Sequence, residues 1–250
     1  MQLLQTEKLK KYFGETHAVD SVDFTVREGE VLSLIGSNGA GKTSLVNLIS
    51  GLFPPDSGRI LFRGNDVTNQ SVHDRIKSGI ARSFQIVNLF DQLTLLDNVG
   101  LAILSRQGIS RSFVTLADHH REVWQEAMAI LREFGLERSH AVLAGAISQG
   151  ERKLLDVAIA YALRPSLLFL DEPTSGVSTR DKAQIMDIVT SIVRSGKITA
   201  VIIEHDMDIV FRYSDRIVAM HQGAILADGT PDEIRRNDVV TSTLVGATHA

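Results

Sequence analysis

The chain has 250 residues, of which 44% are hydrophobic and 22% charged, and its formal net charge at pH 7 is -4. This length is enough for a full hydrophobic core in one large domain or two small ones. The mildly acidic balance argues against a non-specific nucleic-acid binder, and the lack of cysteine excludes disulfide bonds and thiolate metal sites. No run of 18 apolar residues occurs, and no apolar stretch follows the amino-terminal lysines, so we expect neither a membrane span nor a secretion signal.

The first predicted elements are half-buried antiparallel strands. Val22, Phe24 and Val26 alternate with Asp23 and Thr25, and a Glu-Gly pair follows shortly after them. This period of two is typical of a strand with one buried face. We expect these strands to lead into the apolar stretch 31–35, which precedes a glycine-rich loop.

The segment 36–43 reads GSNGAGKT and is followed by a helix-like pattern of Leu45, Leu48, Ile49 and Leu52. A strand, a loop of this spacing and a helix form a triphosphate-binding loop, whose backbone N–H groups and helix amino terminus attract phosphate. Thr43 is placed to offer its hydroxyl to Mg²⁺. A glycine-rich turn with an unrelated lysine is the alternative. The residues predicted to bind nucleotide here are Gly36, Ser37, Asn38, Gly39, Ala40, Gly41, Lys42, Thr43 and Ser44.

The middle of the chain is predicted to be mostly helical. The Pro54-Pro55 pair and Gly58 indicate the end of the first helix, and 59–62 reads as a short strand. Between 93 and 163 the strongest pattern is one apolar helical face, made of Val123, Ala127, Ile130, Leu131 and Phe134 and ending at Gly135. We interpret about 93–164 as a helical subdomain inserted into a nucleotide-binding core formed by about 1–92 and 165–250.

Two apolar strands follow, 167–170 and 199–203, each ending in polar residues. Open α/β sheets bind ligands at the carboxyl ends of such strands. Asp171 is predicted to hold Mg²⁺, directly or through water, and Glu172 to orient and deprotonate the attacking water. Two adjacent acids alone are equally compatible with an ordinary solvated turn, but the phosphate loop makes that reading less favoured.

The remaining signals are helix caps and a hairpin. Ser148 and Glu151 have the spacing of a capping box, and the helix amino terminus that they start is also a potential anion site. Near the carboxyl end, 217–220 and 224–227 read as a hairpin. The segment 230–233 then predicts a last helix with a threonine cap and a proline at its first position.

Taken together and in this order, the motifs resemble those of ABC transporter ATPases. They are the phosphate loop, a later glutamine at Gln85, the segment ISQGE at 147–151, Asp171-Glu172 and His205. The resemblance covers nearly the whole chain and implies an α/β P-loop NTPase fold with a mixed sheet, an antiparallel β region and an inserted α-helical subdomain. RSFQ at 82–85, EHDM at 204–207 and DGTP at 228–231 are most similar to ATPases of branched-chain amino acid and urea-type importers.

The resemblance also implies roles for single residues. Phe13 matches the aromatic residue that stacks on adenine, with Tyr12 as a possible substitute. Gln85 would contact Mg²⁺ or the attacking water, and His205 would touch the γ-phosphate and hold Glu172; a surface glutamine and a structural histidine are the alternatives. Ser148 and Gly150 would complete the ATP site of a second subunit. The chain departs from the family signature at Ile147, Gln149 and Glu151, and has Ser178 where aspartate is common, which puts communication across the dimer in doubt.

The resemblance to ABC transporter ATPases also implies a function for the chain. The chain would bind and hydrolyse ATP with Mg²⁺, as a homodimer or with a paralogous ATPase, at the cytoplasmic face of an inner membrane. It would drive transmembrane permease subunits, served indirectly by a periplasmic solute-binding protein, with no role for nucleic acid. The transported solute is not encoded in an ATPase sequence. The rival functions are an ABC-type ATPase acting on DNA or ribosomes, a P-loop small-molecule kinase, and a nucleotide-binding regulator without hydrolysis.

Overall fold

The computed structural model describes residues 1–83, 89–108, 116–196 and 198–244, with the backbone alone for 116–120 and 244. In chain order the strands are β1 (Gln2–Phe13), β2 (Thr16–Val22), β3 (Thr25–Arg27), β4 (Val31–Ile35), β5 (Ser57–Phe62), β6 (Asn65–Asp66), β7 (Ile80–Arg82), β8 (Leu167–Asp171), β9 (Thr199–Ile203), β10 (Arg216–His221) and β11 (Ala224–Gly229). The helices are α1 (Lys42–Ser50), α2 (Val72–Ser78), α3 (Leu95–Gln107), α4 (Leu116–Glu133), α5 (Gln149–Ala162), α6 (Thr179–Arg194), α7 (Met207–Tyr213), α8 (Pro231–Arg235) and α9 (Asp238–Leu244).

The larger sheet runs in the order β11, β10, β4, β9, β8, β7, with β11 antiparallel to β10 and the other neighbours parallel. Every residue of β4, β8 and β9 is buried, as expected for parallel strands covered on both faces. Asp171 at the end of β8 stands opposite Ile203 of β9, which stands opposite Leu34 of β4. The carboxyl ends of these strands therefore meet at one edge of the sheet, as predicted.

The smaller sheet is antiparallel and runs in the order β2, β1, β5, β6, with β3 also paired to β1. The predicted alternation is confirmed, because Val22, Phe24 and Val26 are all buried. Helix α1 packs its apolar face, including Leu45 and Leu48, among buried side chains from both sheets. The smaller sheet thus covers the phosphate-loop helix on the side opposite the larger sheet.

The first helix ends earlier than the sequence pattern predicts. We expected α1 to include Leu52 and to stop at the prolines and glycine of 54–58, but α1 ends at Ser50. Gly51 follows in the left-handed conformation, with φ 81°, and its N–H donates back to the carbonyl groups of Asn47 and Leu48. Because glycine adopts this turn without a Cβ penalty, Gly51 is the stop signal, and the prediction was wrong. Leu52 lies outside the helix with 46% of its surface exposed.

A buried arginine hydrogen-bonds to carbonyl groups at the C-terminus of α1. Arg75 of α2 is 1% exposed, and its guanidinium donates to three backbone carbonyl groups. The acceptors are Leu48 at 2.6 Å, Thr68 at 2.8 Å, and Ile49. The last carbonyl groups of a helix have no partner within the helix, and a cation also suits the negative end of its dipole. Burial lowers the pKa of Arg75 to about 10, so the side chain stays charged at neutral pH.

Helices α3, α4 and α5 pack on one another and on the face of the larger sheet opposite α1. The apolar face predicted for the middle of the chain is confirmed: Val123, Ala127, Ile130, Leu131 and Phe134 are buried, and Gly135 follows with φ 71°. That about 93–164 forms a subdomain of its own stays a prediction. Within the described ranges, none of the helices combines the length and apolar character that a membrane span requires.

The carboxyl-terminal hairpin and helix follow the prediction closely. β10 and β11 are joined by Gln222 and Gly223, whose φ values of 46° and 79° give the twist that two-residue hairpin turns require. Thr230 then caps α8 in a reciprocal capping box with Glu233, and Pro231 occupies the first turn. The hairpin turn lies against the phosphate loop, because the N–H of Gly223 donates to the carbonyl of Ala40 at 3.0 Å.

Candidate active site

The predicted phosphate loop, residues 36–43, connects the buried strand β4 to the amino terminus of α1. Gly36, Gly39 and Gly41 have φ values of 154°, 80° and 100°, which side-chain-bearing residues rarely adopt. Gly41 is the N-cap of α1, and as a glycine it has no side chain to cap the first N–H groups of the helix. Those N–H groups and the positive end of the helix dipole are therefore available to a phosphate.

The glycines also let the loop pack closely against its neighbours. A Cβ on Gly41 would lie 2.2 Å from the carbonyl oxygen of Ala18, and a Cβ on Gly36 would lie 2.4 Å from that of Met220. From the hairpin turn, the N–H of Gly223 donates to the carbonyl of Ala40 at 3.0 Å. Strand β2 and the β10–β11 hairpin thus fix the loop from outside, and any larger residue would displace it.

Lys42 lies at the centre of the loop, with 6% of its surface exposed. Its Nζ donates to the carbonyl oxygens of Gly36 at 2.6 Å and Ser37 at 3.1 Å. Burial lowers the pKa of the Lys42 ammonium, while the carboxylates of Glu172 and Asp171 act in the opposite direction. The ammonium therefore sits among oxygen acceptors beside the carboxylates that face it, where a bound phosphate would be a further partner.

Asp171 is held by an arginine that the sequence interpretation gave no role. Arg82, at the end of β7, donates from Nη2 to Oδ2 of Asp171 at 2.6 Å, and both side chains are at most 8% exposed. The same guanidinium donates to the side-chain oxygen of Asn47 in α1. A buried ion pair with further hydrogen bonds fixes the carboxylate in one orientation. Arg82 therefore ties β7, β8 and the phosphate-loop helix together beside the predicted Mg²⁺ ligand.

Glu172 and His205 are brought together as predicted. His205 Nε2 lies 3.1 Å from Oε1 of Glu172, and the N–H of Glu172 donates to the carbonyl of Ile203 at 2.9 Å. The backbone of Glu172 has φ 49°, a left-handed conformation that costs a residue with a side chain about 1–3 kcal/mol. Such strain persists where neighbours hold the residue in place, and it is common at active sites. The geometry fits a base oriented by an imidazole.

These elements enclose one cavity of about 400 Å³. Its lining includes many of the predicted site residues: Phe13, Asn38, Gly39, Ala40, Gly41, Lys42, Thr43, Ser44, Asp171, Glu172 and His205. Gly36 and Ser37 form the base of the same loop. A larger open groove of about 610 Å³ lies between the end of α4 and α6, and none of the predicted site residues that the structure describes lines it. The smaller cavity is therefore the candidate active site.

Phe13 rather than Tyr12 faces this cavity. Phe13 lines it, is 50% exposed, and meets Phe53 edge to face at a centroid distance of 5.9 Å. The ring of Tyr12 instead stacks on His17 at 4.1 Å, and its hydroxyl donates to Asp20 at 3.0 Å. Tyr12 is therefore occupied elsewhere, whereas half of the Phe13 surface is exposed at the cavity.

Ser148 and Gly150 lie outside the cavity, at the exposed amino terminus of α5. The predicted capping box is present: Glu151 N–H donates to Ser148 Oγ at 3.2 Å, and Glu151 Oε2 accepts from the N–H of Ser148 at 3.0 Å. Burial raises the pKa of Glu151, but the hydrogen bonds from Ser148 outweigh it and leave the pKa lowered. The signature segment thus keeps a helix amino terminus open to solvent, despite Glu151 in place of glutamine.

The amino terminus of α6 is built in the same way and lies beside that of α5. Ser178, the residue that stands where the family commonly has aspartate, accepts from the N–H of Asp181 at 3.2 Å and donates to its carboxylate at 2.8 Å. A Cβ on Gly150 would lie 3.3 Å from Cγ of Asp181. The serine therefore supplies the helix cap at this position. Gln85, predicted as a contact of Mg²⁺ and water, lies outside the described residues.

Sequence reasoning also missed Glu204, which joins the loops after β8 and β9. Glu204 is 4% exposed and accepts from the N–H of Thr174 at 3.1 Å, from its hydroxyl at 2.6 Å, and from the N–H of His205 at 3.2 Å. A charged residue at the end of a buried strand was the available signal, because such a group needs buried partners. Glu204 fixes the loop that follows Glu172 relative to His205.

One more ionisable group lies close to the site. Burial raises the pKa of the partly buried Asp156 carboxyl in α5 to about 7, against the effect of the Lys153 charge and a hydrogen bond from Ser83. Its ordinary value is 3.8, so the group changes charge near neutral pH instead of in acid. The hydrogen bond from Ser83 links Asp156 to the residue that follows Arg82 in the chain.

Comparison with known proteins agrees with this geometry. Residues 19–175 match the family model described as ABC transporter. The chain is 34% identical to the high-affinity branched-chain amino acid transport ATP-binding protein BraF of Pseudomonas aeruginosa, over 98% of each chain. It is 32% identical to a probable branched-chain amino acid transport ATP-binding protein LivG of Archaeoglobus fulgidus, over 99% of this chain and 96% of the other.

Solved structures give the same result. The structure described as the ADP conformation of an ATP-binding cassette of an ABC transporter matches with a TM-score of 0.86 and 32% identity, over 98% of this chain and 99% of that one. Both the phosphate loop and the Asp171-Glu172 pair fall within the residues that match the family model. The chain therefore belongs to the ABC transporter family, as one of its ATP-hydrolysing subunits.

Proposed function

We propose that this chain powers an importer for branched-chain amino acids, acting at the cytoplasmic face of a membrane on permease subunits that receive solute from a periplasmic binding protein. The names of the relatives BraF and LivG support this substrate class. The observation that carries the ATPase part is the single cavity in which Lys42, Asp171, Glu172 and His205 meet. A DNA-directed role finds no support in a net charge of -4.

The cavity suits ATP as substrate. The exposed face of Phe13 would stack on the adenine, and the N–H groups at the start of α1 with Lys42 would bind the phosphates. Glu172 would accept a proton from the attacking water, because its carboxylate faces the same space. His205 would hold Glu172 in that orientation through the contact of 3.1 Å and reach the γ-phosphate from the same side.

Mg²⁺ fits the donors that the cavity offers. The hydroxyl of Thr43 and the carboxylate of Asp171 both line it, and hard oxygen donors are what Mg²⁺ prefers. Among the described residues, no group of three or more His, Cys, Asp or Glu side chains is placed to hold a metal ion. When bound, Mg²⁺ would neutralise phosphate charge; Gln85 is the further ligand that the family resemblance implies.

A second subunit would complete the site. Ser148 and Gly150 stand at an exposed helix amino terminus, outside the cavity of their own chain, where they can bind an anion presented by another molecule. We propose that ATP lies between two copies, or between this chain and a paralogous ATPase, and that loss of the γ-phosphate removes the contact that favours closure.

Replacing Glu172 by glutamine tests the ATPase mechanism. The amide cannot accept the proton, so hydrolysis should fall by at least about 100-fold while ATP still binds and converts the protein to a dimer on size-exclusion chromatography. Lys42→Ala serves as the control that loses ATP binding. A Glu172→Gln protein that hydrolyses ATP at the normal rate contradicts the assignment, and one that binds ATP as a monomer favours a kinase-like site.

A test of the proposed substrate class requires the complete transporter, reconstituted in liposomes. With the permease subunits and a solute-binding protein present, leucine, isoleucine or valine should stimulate ATP hydrolysis, whereas urea should not. Stimulation by urea alone would contradict the proposed substrate and point to the other importer group that the motifs resemble.

A further inference from the structure

A buried lysine links the signature helix to the catalytic loop. Lys153 lies in α5, five positions after Ser148, and is 8% exposed. Its Nζ donates to the carbonyl oxygen of Glu172 at 3.0 Å and to Oγ of Ser175 at 3.0 Å. The Ser175 hydroxyl in turn donates to the same carbonyl at 3.1 Å. The ammonium, the hydroxyl and the carbonyl therefore form a closed group directly behind the predicted base.

These contacts act on the most strained part of the site. Glu172 has φ 49°, and its N–H donates to the carbonyl of Ile203. Its own carbonyl accepts from the Lys153 ammonium, the Ser175 hydroxyl and, at 3.2 Å, the Ser175 N–H. A left-handed conformation at glutamate persists only when its surroundings fix it from both sides. Hydrogen bonds from an ammonium are stronger than those between neutral groups, and burial strengthens them further. Lys153 is the charged donor of the three that hold the Glu172 carbonyl, so the orientation of this peptide depends in part on the position of Lys153.

The helix that carries Lys153 makes this contact informative. Lys153 lies five positions after Ser148, the N-cap of α5, which is about 7.5 Å along the helix axis, and unbroken helix joins the two residues. A displacement of the helix amino terminus, where an anion would bind, is therefore transmitted to the Lys153 ammonium. Asp156, one turn further along α5, is the charged group that faces this lysine.

We propose that Lys153 is a positioning residue that couples the orientation of the base Glu172 to the position of the signature helix α5. In a dimer this would let the ATP bound by Ser148 and Gly150 set the base in the other site of the pair. The inference rests on the proposed function, in which Glu172 is the base and α5 meets a partner's nucleotide.

A double-mutant cycle with Glu172 separates positioning from a purely structural role. In the full-length protein, Lys153→Met should lower kcat for ATP at least about tenfold, because misplacing a catalytic group by about 1 Å costs up to 100-fold. KM for ATP should stay within about twofold, since the phosphate loop is untouched. In a Glu172→Gln background, measured as single-turnover phosphate release, Lys153→Met should cause no further loss.

Further variants guard against a folding defect. Lys153→Arg retains the charge and the donors and should recover most of the activity, and Ser175→Ala should give a smaller loss because it removes one partner at the exposed edge. Arg152→Met is the matched control: the neighbouring Arg152 contacts Ala144 and Asp91 instead of the catalytic loop. Thermal unfolding of each variant shows whether the chain is folded.

The outcomes distinguish the inference from the proposed function. If Glu172→Gln retains normal hydrolysis, the role of Glu172 fails. If Glu172→Gln is inactive but Lys153→Met hydrolyses ATP normally, the coupling through Lys153 is overturned while the ATPase mechanism stands. The same holds if Lys153→Met reduces the residual rate of Glu172→Gln by the factor seen in the wild-type background, since Lys153 then acts independently of the base.

Discussion

Replacing Arg75 by methionine tests whether one buried side chain closes the end of the phosphate-loop helix. Arg75 is 1% exposed, and its guanidinium donates to the carbonyl groups of Leu48, Ile49, Thr68 and Gln70. Methionine fills much of the same space but donates no hydrogen bond. These carbonyl groups would each lose a charged donor in the protein interior, although the carbonyl of Leu48 would keep the N–H of Gly51.

The magnitude follows from these contacts. A hydrogen bond from a charged donor contributes about 1.5 kcal/mol at the lower end of its range, so the bonds to these carbonyl groups together contribute about 6 kcal/mol. Burial lowers the pKa of Arg75 from 12.5 to about 10, which corresponds to roughly 3 kcal/mol of unfavourable desolvation that methionine avoids. The expected net decrease in the free energy of unfolding is about 3 kcal/mol.

Urea unfolding followed by circular dichroism at pH 7 measures this difference. Arg59→Met is the matched control, because Arg59 is 63% exposed and pairs with Glu7 at the surface; its free energy of unfolding should change by less than about 0.5 kcal/mol. If Arg75→Met were as stable as Arg59→Met, the carbonyl groups would be satisfied by water, and the reasoning about the helix end would be refuted.

Three further changes test the site itself. Gly41→Ala places a methyl group 2.2 Å from a backbone carbonyl oxygen and should weaken binding of a fluorescent ATP analogue by at least about tenfold. Gly29→Ala is the control, because its Cβ would meet no atom within 4 Å, and it should leave this binding unchanged. His205→Ala should lower kcat by about 100-fold or more with little change in ATP affinity, measured by phosphate release; a proportional loss of affinity would argue for a binding role. Because the pKa of Asp156 is raised to about 7 in the folded protein, its contribution to stability is full below pH 3.8 and is lost as pH rises through 7. The free energy of unfolding of Asp156→Asn, minus that of the wild type, should therefore increase by at most about 4 kcal/mol as the pH rises from 4 to 8. If the two free energies changed with pH in parallel, the raised pKa of Asp156 would be contradicted.

Most residues of the candidate site could be predicted from short sequence patterns. The phosphate loop is continuous in sequence, and its strand, glycines and helix each leave a mark within a few residues, so residues 36–44 could be assigned without long-range information. Asp171 was found because it ends an apolar stretch that had to be a buried parallel strand, whereas His205 was assigned from the family resemblance. The carboxyl ends of such strands meet by topology alone.

Contacts between elements that are distant in the chain could not be predicted from such patterns. Arg75 reaches α1 from the next helix, Arg82 reaches Asp171 across the sheet, and Lys153 reaches the loop after β8, and nothing in the spacing of these residues predicts those partners. The left-handed conformation of Glu172 is also set by its neighbours. The end of α1 was misplaced because Gly51 was weighed less than the prolines that follow it, although an αL glycine alone ends a helix.

Complementation between two inactive variants tests the central claim, that each ATP is bound by two chains, most directly. Lys42→Ala removes the phosphate-binding ammonium, and Ser148→Glu places a negative charge where the partner's γ-phosphate would lie. In a mixed dimer one site combines the intact Lys42 of one chain with the intact Ser148 of the other, so mixing should restore ATP hydrolysis that neither variant shows alone. If both residues instead served the site of their own chain, the mixture would remain inactive, and the shared-site account would be contradicted.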